Sequence, residues 1–251
     1  MTDMPPPPPP MTPPPGYVAY GGTGAVNRNV QSIRGLVKAL LILIAIDIPL
    51  SALNVVGNMQ LANKARKLLD GTITEAQFKD ASSLNIGSLS GIVVVPIAVL
   101  TIVWMFRMAN NVRALGRPEL RFAPGWAIGG WFTPPCVIYA VPWLMFRELW
   151  KASDPEIGPG DPRWKSGRVP MIVNVWWVVY GLVPLVAIFT GVNAITQLKS
   201  GGIKTHDLAS TLHRFAALNI VVAVLGVIAA IVYLLMVRQL SERHMRATRE
   251  I

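Results

Sequence analysis

Charge is what this chain has least of. Only 14% of its residues are Asp, Glu, Lys or Arg, against about 25% in an ordinary soluble domain. So few charges cannot cover a water-facing surface, which excludes that class. Acidic residues are scarcer still, 13 against 23 Lys and Arg, giving a net charge of +10. The single cysteine, Cys136, excludes an intrachain disulfide and a cysteine-rich metal site. No phosphate-binding loop, His-Glu-x-x-His, Gly-x-Ser-x-Gly or Rossmann glycine pattern is present. Nothing in the residues supports an enzyme. His206 and His213 lie two turns apart without a third ligand, so neither a metal nor a cofactor is expected.

What is abundant is apolar length. Hydrophobic residues make up 52% of the chain and fall in five blocks at 39–61 (broken only by Asp47), 81–106, 122–146, 169–198 and 215–237. An uncharged run of about 18 or more residues reads as a membrane helix, because about 20 residues at 1.5 Å rise cover a hydrocarbon core of about 30 Å. The chain therefore reads as an all-α integral membrane protein. Its first block starts too late and runs too long for a cleaved signal peptide, so it should remain as an anchor. Basic residues flank the blocks rather than forming one patch. They set orientation in a lipid bilayer, and no nucleic acid is implied.

Residues 1–27, with nine prolines in the first fifteen positions, form a disordered Pro-rich tail with polyproline II character. Residues 28–251 form the membrane domain: a hairpin at 36–116, a Trp/Pro-rich segment at 124–150, a cytoplasmic loop at 151–169 and a second hairpin at 170–247. The two hairpins look alike. Thr74 to Arg107 and Thr205 to Arg238 each span 33 positions. Each Thr is placed to N-cap a helix running unbroken to its Arg, and Thr74 with Gln77 fits a capping box.

The middle block holds Pro134, Pro135 and Pro142 and is long enough to span. Charge decides against that. With five spans and an internal N-terminus, 10 basic residues lie inside and 13 outside, against the positive-inside rule. If residues 125–146 enter and return at the Pro134-Pro135 break, the division becomes 16 inside and 7 outside. The expectation is two transmembrane hairpins, four spans in all, flanking a re-entrant or interfacial segment, with both termini cytoplasmic. All eight tryptophans lie between Trp104 and Trp177, which would gather them near one leaflet as an aromatic belt.

A carboxylate stands alone at mid-membrane depth. Asp47, Ser51, Asn54 and Asn58 share one helix face, and a lone carboxylate facing lipid costs about 2.5–3.5 kcal/mol. Asp47 should face the bundle, with Asn174, Tyr180 or a Trp indole N–H as partner. Two readings follow: a proton- or solute-handling site, or a structural polar seam. Glu148, next to Arg147, reads as a local ion pair. Gly87-xxx-Gly91 permits close helix contact.

Trp104, Arg107, Asn111 through Gly116, then Pro124, Trp126, Gly129, Trp131, Pro134, Pro142, Glu148, Trp150, Ala152-Ser153, Trp176 and Trp177 form a pattern that resembles a family. It is the actinobacterial integral membrane family known as domain of unknown function number four-three-two-eight. The likeness covers about residues 84–240. Members often carry Asn after the middle proline, where this chain has Pro135-Cys136. The resemblance implies a bacterial plasma membrane location and no assigned activity. Two functions are expected: a scaffold or regulatory subunit with a protein partner on the cytoplasmic side, or a small-solute or proton pathway. A homo-oligomer is compatible with both.

Overall fold

The computed structural model describes residues 30–82, 89–132, 135–181 and 204–250, and these contain helices and turns but no strand. The proline-rich tail, Gly87, Pro134 and the second half of the fourth apolar block lie outside the described residues. In chain order the helices are α1 (Arg34–Leu69), α2 (Glu75–Ser82), α3 (Leu89–Ala114), α4 (Trp126–Gly129), α5 (Pro135–Ala152), α6 (Met171–Gly181), α7 (Thr205–Arg214) and α8 (Ala216–Thr248). A 3-10 turn, Pro162–Ser166, follows α5. Among the described residues α1, α3 and α8 are long and apolar enough to cross a membrane; α6 is apolar but shorter.

Helix α1, at 36 residues, is about 54 Å long. It ends where Gly71 adopts a φ of 69°, a left-handed turn that glycine enters without steric cost. Helix α2 starts on the expected capping box: Thr74 N–H donates to Gln77 Oε1 at 2.9 Å, and Gln77 N–H returns a bond to Thr74 Oγ1 at 3.3 Å. The corresponding Thr205 does not cap. It is the first residue of α7, preceded by Lys204, which makes no side-chain cap bond. Nor does one helix run from Thr205 to Arg238: Phe215, at φ −100° and ψ 10°, separates α7 from α8.

Helix α1 lies against α8, α3 and α7. Two cores form. The larger draws on α1, α3, α5, α6 and α8, with Leu40, Trp104, Phe146, Trp176 and Leu240 buried in it. A smaller one at the far end of α1 joins Ala65, Leu68, Phe78 and Ala209. Outward faces of the long helices stay apolar, with Ile46, Val56, Ile92, Val95, Val221 and Ile228 among the exposed large side chains. Exposed apolar side chains along three long helices fit lipid rather than water.

Much of the tryptophan surface is turned into the molecule. Trp104, Trp164 and Trp176 are buried, and the rings stack inward: Trp143 on Trp177 at 4.6 Å, Trp176 on Tyr180 at 4.9 Å, and Phe146 edge-on to Trp176 at 5.1 Å. Aromatic surface is better used filling the seam between α5, α6 and α8 than facing lipid. Trp126 alone among the described tryptophans is exposed, at 42%. Gly91 makes no close contact, since nothing lies within 4 Å of where its Cβ would stand.

The described arms, residues 121–132 and 135–148, fold back on each other. The Glu148 carboxylate accepts the backbone N–H groups of Arg121 and Phe122, at 2.8 and 3.2 Å. Further along, a Cβ on Gly130 would stand 2.6 Å from Val141 Cγ1. The pairs 121/148 and 130/141 are those of an antiparallel turn-back. The first arm holds the single turn of α4; the second arm, α5, continues through Pro142.

Candidate functional site

Two sets of polar residues stand out, one at the basic end of the bundle and one inside it. The first is built around His244, fully buried on α8. Asn111, on α3, anchors it. Its Oδ1 accepts the Gln31 N–H at 2.8 Å, and its Nδ2 donates to the Gln31 carbonyl at 2.9 Å. The second hydrogen of Nδ2 then faces His244 Nε2 at 3.1 Å. An amide nitrogen can only donate, so Nε2 accepts and the ring proton sits on Nδ1. That proton goes to Ser153 Oγ at 2.8 Å. The imidazole is thus held neutral, and burial lowers its pKa to about 3.

Around it, other charged groups hold backbone. Buried Arg117 donates from Nε to the Ala152 carbonyl at 2.8 Å, and from its two terminal nitrogens to the carbonyls of Ile157, Gly158 and Asp154 at 2.6–2.8 Å. Arg243 pairs with Asp154 at 2.6 Å and lies over the Trp150 ring. Glu250 accepts the Ile33 N–H at 3.1 Å and the Ser32 hydroxyl at 3.0 Å. A carboxylate from the chain's last turn therefore satisfies orphan donors at the start of α1. Arg107 donates to the Ser32 carbonyl at 3.0 Å.

Glu148 makes no ion pair with Arg147. Its carboxylate takes the two N–H groups described above, while Arg147 sits over the Trp143 ring at 4.7 Å. Burial raises the Glu148 pKa, and those two N–H bonds oppose the shift. Of the residues in the sequence pattern, Arg107, Asn111, Glu148 and Trp150 join this end; Trp104, Trp176 and Trp177 join the aromatic seam. The Pro124 carbonyl accepts the Ala127 N–H at 3.0 Å and opens α4. Gly129 closes that turn with open space where a Cβ would stand.

The second set lines a cavity of about 450 Å³ between α1, α3, the end of α4, α6 and α8. Asp47 and Ser51 form part of its α1 wall, with Thr101, Trp131, Tyr180 and Tyr233 opposite. The Tyr233 hydroxyl donates to Thr101 Oγ1, which itself donates to the Ile97 carbonyl at 2.7 Å. Asp47 is only 7% exposed, yet Ser51 gives it a single hydrogen bond of 3.4 Å, to Oδ2. Asp47 Oδ1 and Trp131 Nε1 are buried without a hydrogen-bond partner. Asn174 does not serve Asp47; its Oδ1 accepts from Trp143 Nε1 at 3.1 Å. Asn58 bonds back to Asn54, so the polar face of α1 divides, with Asp47 and Ser51 at the cavity and the two asparagines paired further along.

His206 and His213 are exposed on α7. Among the described residues no three His, Cys, Asp or Glu side chains gather as a metal would require. Sequence reasoning missed His244, Arg117 and Glu250, because their roles come from contacts more than 30 positions away.

Comparison with known proteins gives one finding. A family model described as "Domain of unknown function (DUF4328)" matches residues 69–242. No curated protein matches, and no solved structure matches. The matched stretch includes Asn111, Ser153 and the aromatic seam but begins after Asp47.

Proposed function

We propose that this chain, which belongs to the family described as a domain of unknown function (DUF4328), is a non-catalytic scaffold or regulatory subunit of the bacterial plasma membrane. It is multi-pass, works on the cytoplasmic side, and keeps both termini there. One observation carries the reading. At the basic end the buried groups Arg117, His244 and Ser153 are engaged in bonds that hold the chain in place. Such an end presents a fixed surface rather than a reactive group. Arg246 and Arg249 are exposed on it, and lipid or a protein partner can meet them there.

The topology rests on the 16-to-7 charge division and is supported by two contacts. Glu148 beside Arg121 puts both ends of the middle segment at one level, as a re-entrant or interfacial segment requires. Ile33 beside Glu250 brings the two ends of the described chain together.

Purification from native membranes in mild detergent tests the reading. A stoichiometric partner should co-elute, be lost on joint charge reversal of Arg246 and Arg249 to Glu, and persist in Asp47→Asn. A protein that elutes alone and moves ions in liposomes would instead favour a small-solute or proton pathway. The cavity containing Asp47 is the observation behind that second reading.

A further inference from the structure

We infer that the cavity beneath Asp47 is a binding site for a hydrophobic organic cation, a ligand with an ammonium N–H on an aromatic or aliphatic body. The inference deepens the solute reading by naming the ligand class. It requires binding and not transport, so a failed flux assay leaves it standing and a failed binding assay leaves the scaffold reading standing.

Three observations converge. The space is about 450 Å³, within the range of about 300–1,000 Å³ typical of small-molecule sites. Its wall is mostly apolar, and the rings of Trp131, Phe132, Trp176, Tyr180 and Tyr233 line it; such ring faces attract cations. Into this wall is set one carboxylate, more than nine-tenths buried, with an oxygen that no protein group satisfies. A buried anion without a partner is costly, and a charge-assisted N–H bond is what removes the cost.

Other occupants fit less well. A lipid acyl chain fills apolar volume but leaves Asp47 unpaired. An anion is repelled by it. An inorganic cation needs several strong oxygen ligands, and among the described lining residues Asp47 is accompanied only by hydroxyl side-chain oxygens. An ammonium with an apolar body satisfies charge, rings and volume together. The unpartnered Trp131 Nε1–H can take a hydroxyl or carbonyl of the same ligand.

The test uses the full-length protein in detergent with dansylcadaverine, whose naphthalene ring and five-carbon chain carry a primary ammonium. Energy transfer from the protein's tryptophans to the dansyl group reports occupancy. Saturable transfer is expected, at least about tenfold weaker for the N-acetylated probe and for Asp47→Asn, the loss of one charge-assisted bond. Gly226 lines the cavity and has open space at its Cβ, so Gly226→Leu should fill the site and abolish binding with Asp47 intact. This second variant decides the matter even if Asp47→Asn misfolds. Equal binding of the amine and its acetylated form, or full binding in Gly226→Leu, would overturn the inference.

Discussion

Asp47 and His244 are both buried titratable residues, and their surroundings give opposite expectations. Asp47 has one long bond to Ser51 and an oxygen with none, so its carboxylate costs stability. Asp47→Leu should therefore unfold at higher temperature in detergent, a gain of about 1–3 kcal/mol for removing an unsatisfied buried group, and should accumulate in membranes at least as well as the native chain. A thermal melt of the two proteins measures this; a clear loss would mean the carboxylate is structural. His244 is satisfied at both nitrogens, and His244→Ala should destabilise by about 2–4 kcal/mol, leaving Asn111 and Ser153 unpaired around a new hole. Its pH dependence follows from the sign of the shift. The folded pKa is about 3 and the unfolded value about 6.5. Between them the unfolded chain binds the extra proton, so stability is complete above about pH 6.5 and falls as pH drops toward 3. Melting curves from pH 7 to pH 4 should show the decline, and His244→Gln should flatten it. Asp47 was legible in the sequence because a lone charge in an apolar block has no neutral explanation. His244 follows Arg243 and looks like one more polar residue beyond a membrane helix; its importance lies in residues 91 and 133 positions away.

At the scale of elements, the long helices are readable because their cause is local. Uncharged length fixes α1, α3 and α8, and the Thr74-Gln77 spacing fixes the start of α2. The errors arose where tertiary contact decides. The break at Phe215 carries no Gly or Pro to mark it. The inward stacking of the tryptophans was not legible, because their clustering in sequence says nothing about whether rings face lipid or one another. Glu148 looked paired with its neighbour, but side chains one position apart on a helix diverge. The turn-back of 121–148 yields its own prediction. At Gly130 an added Cβ would meet Val141 Cγ1 at 2.6 Å and the Trp126 carbonyl at 2.7 Å, one of them backbone that cannot yield. Gly130→Ala should cost about 1–3 kcal/mol and lower the melting temperature, whereas Gly91→Ala, inside α3 with open space, gains helix propensity and should not lower it. Equal effects at the two glycines would mean that α4 and α5 do not pack as described.

In the whole molecule, the start of α1, the ends of α3, α5 and α8, and the loop after α5 share one end. Gln31, Asn111, Ser153 and His244 bind one another there, and Gly160 N–H donates to the Gly116 carbonyl at 2.9 Å. The turn after α1 lies at the other end, near the small core of Leu68 and Phe78. The proposed topology puts the first end on the cytoplasmic side. Because Cys136 is the only cysteine, Cys136→Ser provides a background for single exposed cysteines at Thr72, Arg113 and Gly158. A membrane-impermeant maleimide is applied to cells whose outer face is accessible. Thr72→Cys should react in intact cells, and Arg113→Cys and Gly158→Cys only after permeabilisation. Labelling of Gly158→Cys but not Arg113→Cys in intact cells would make the middle segment a span and contradict the shared end.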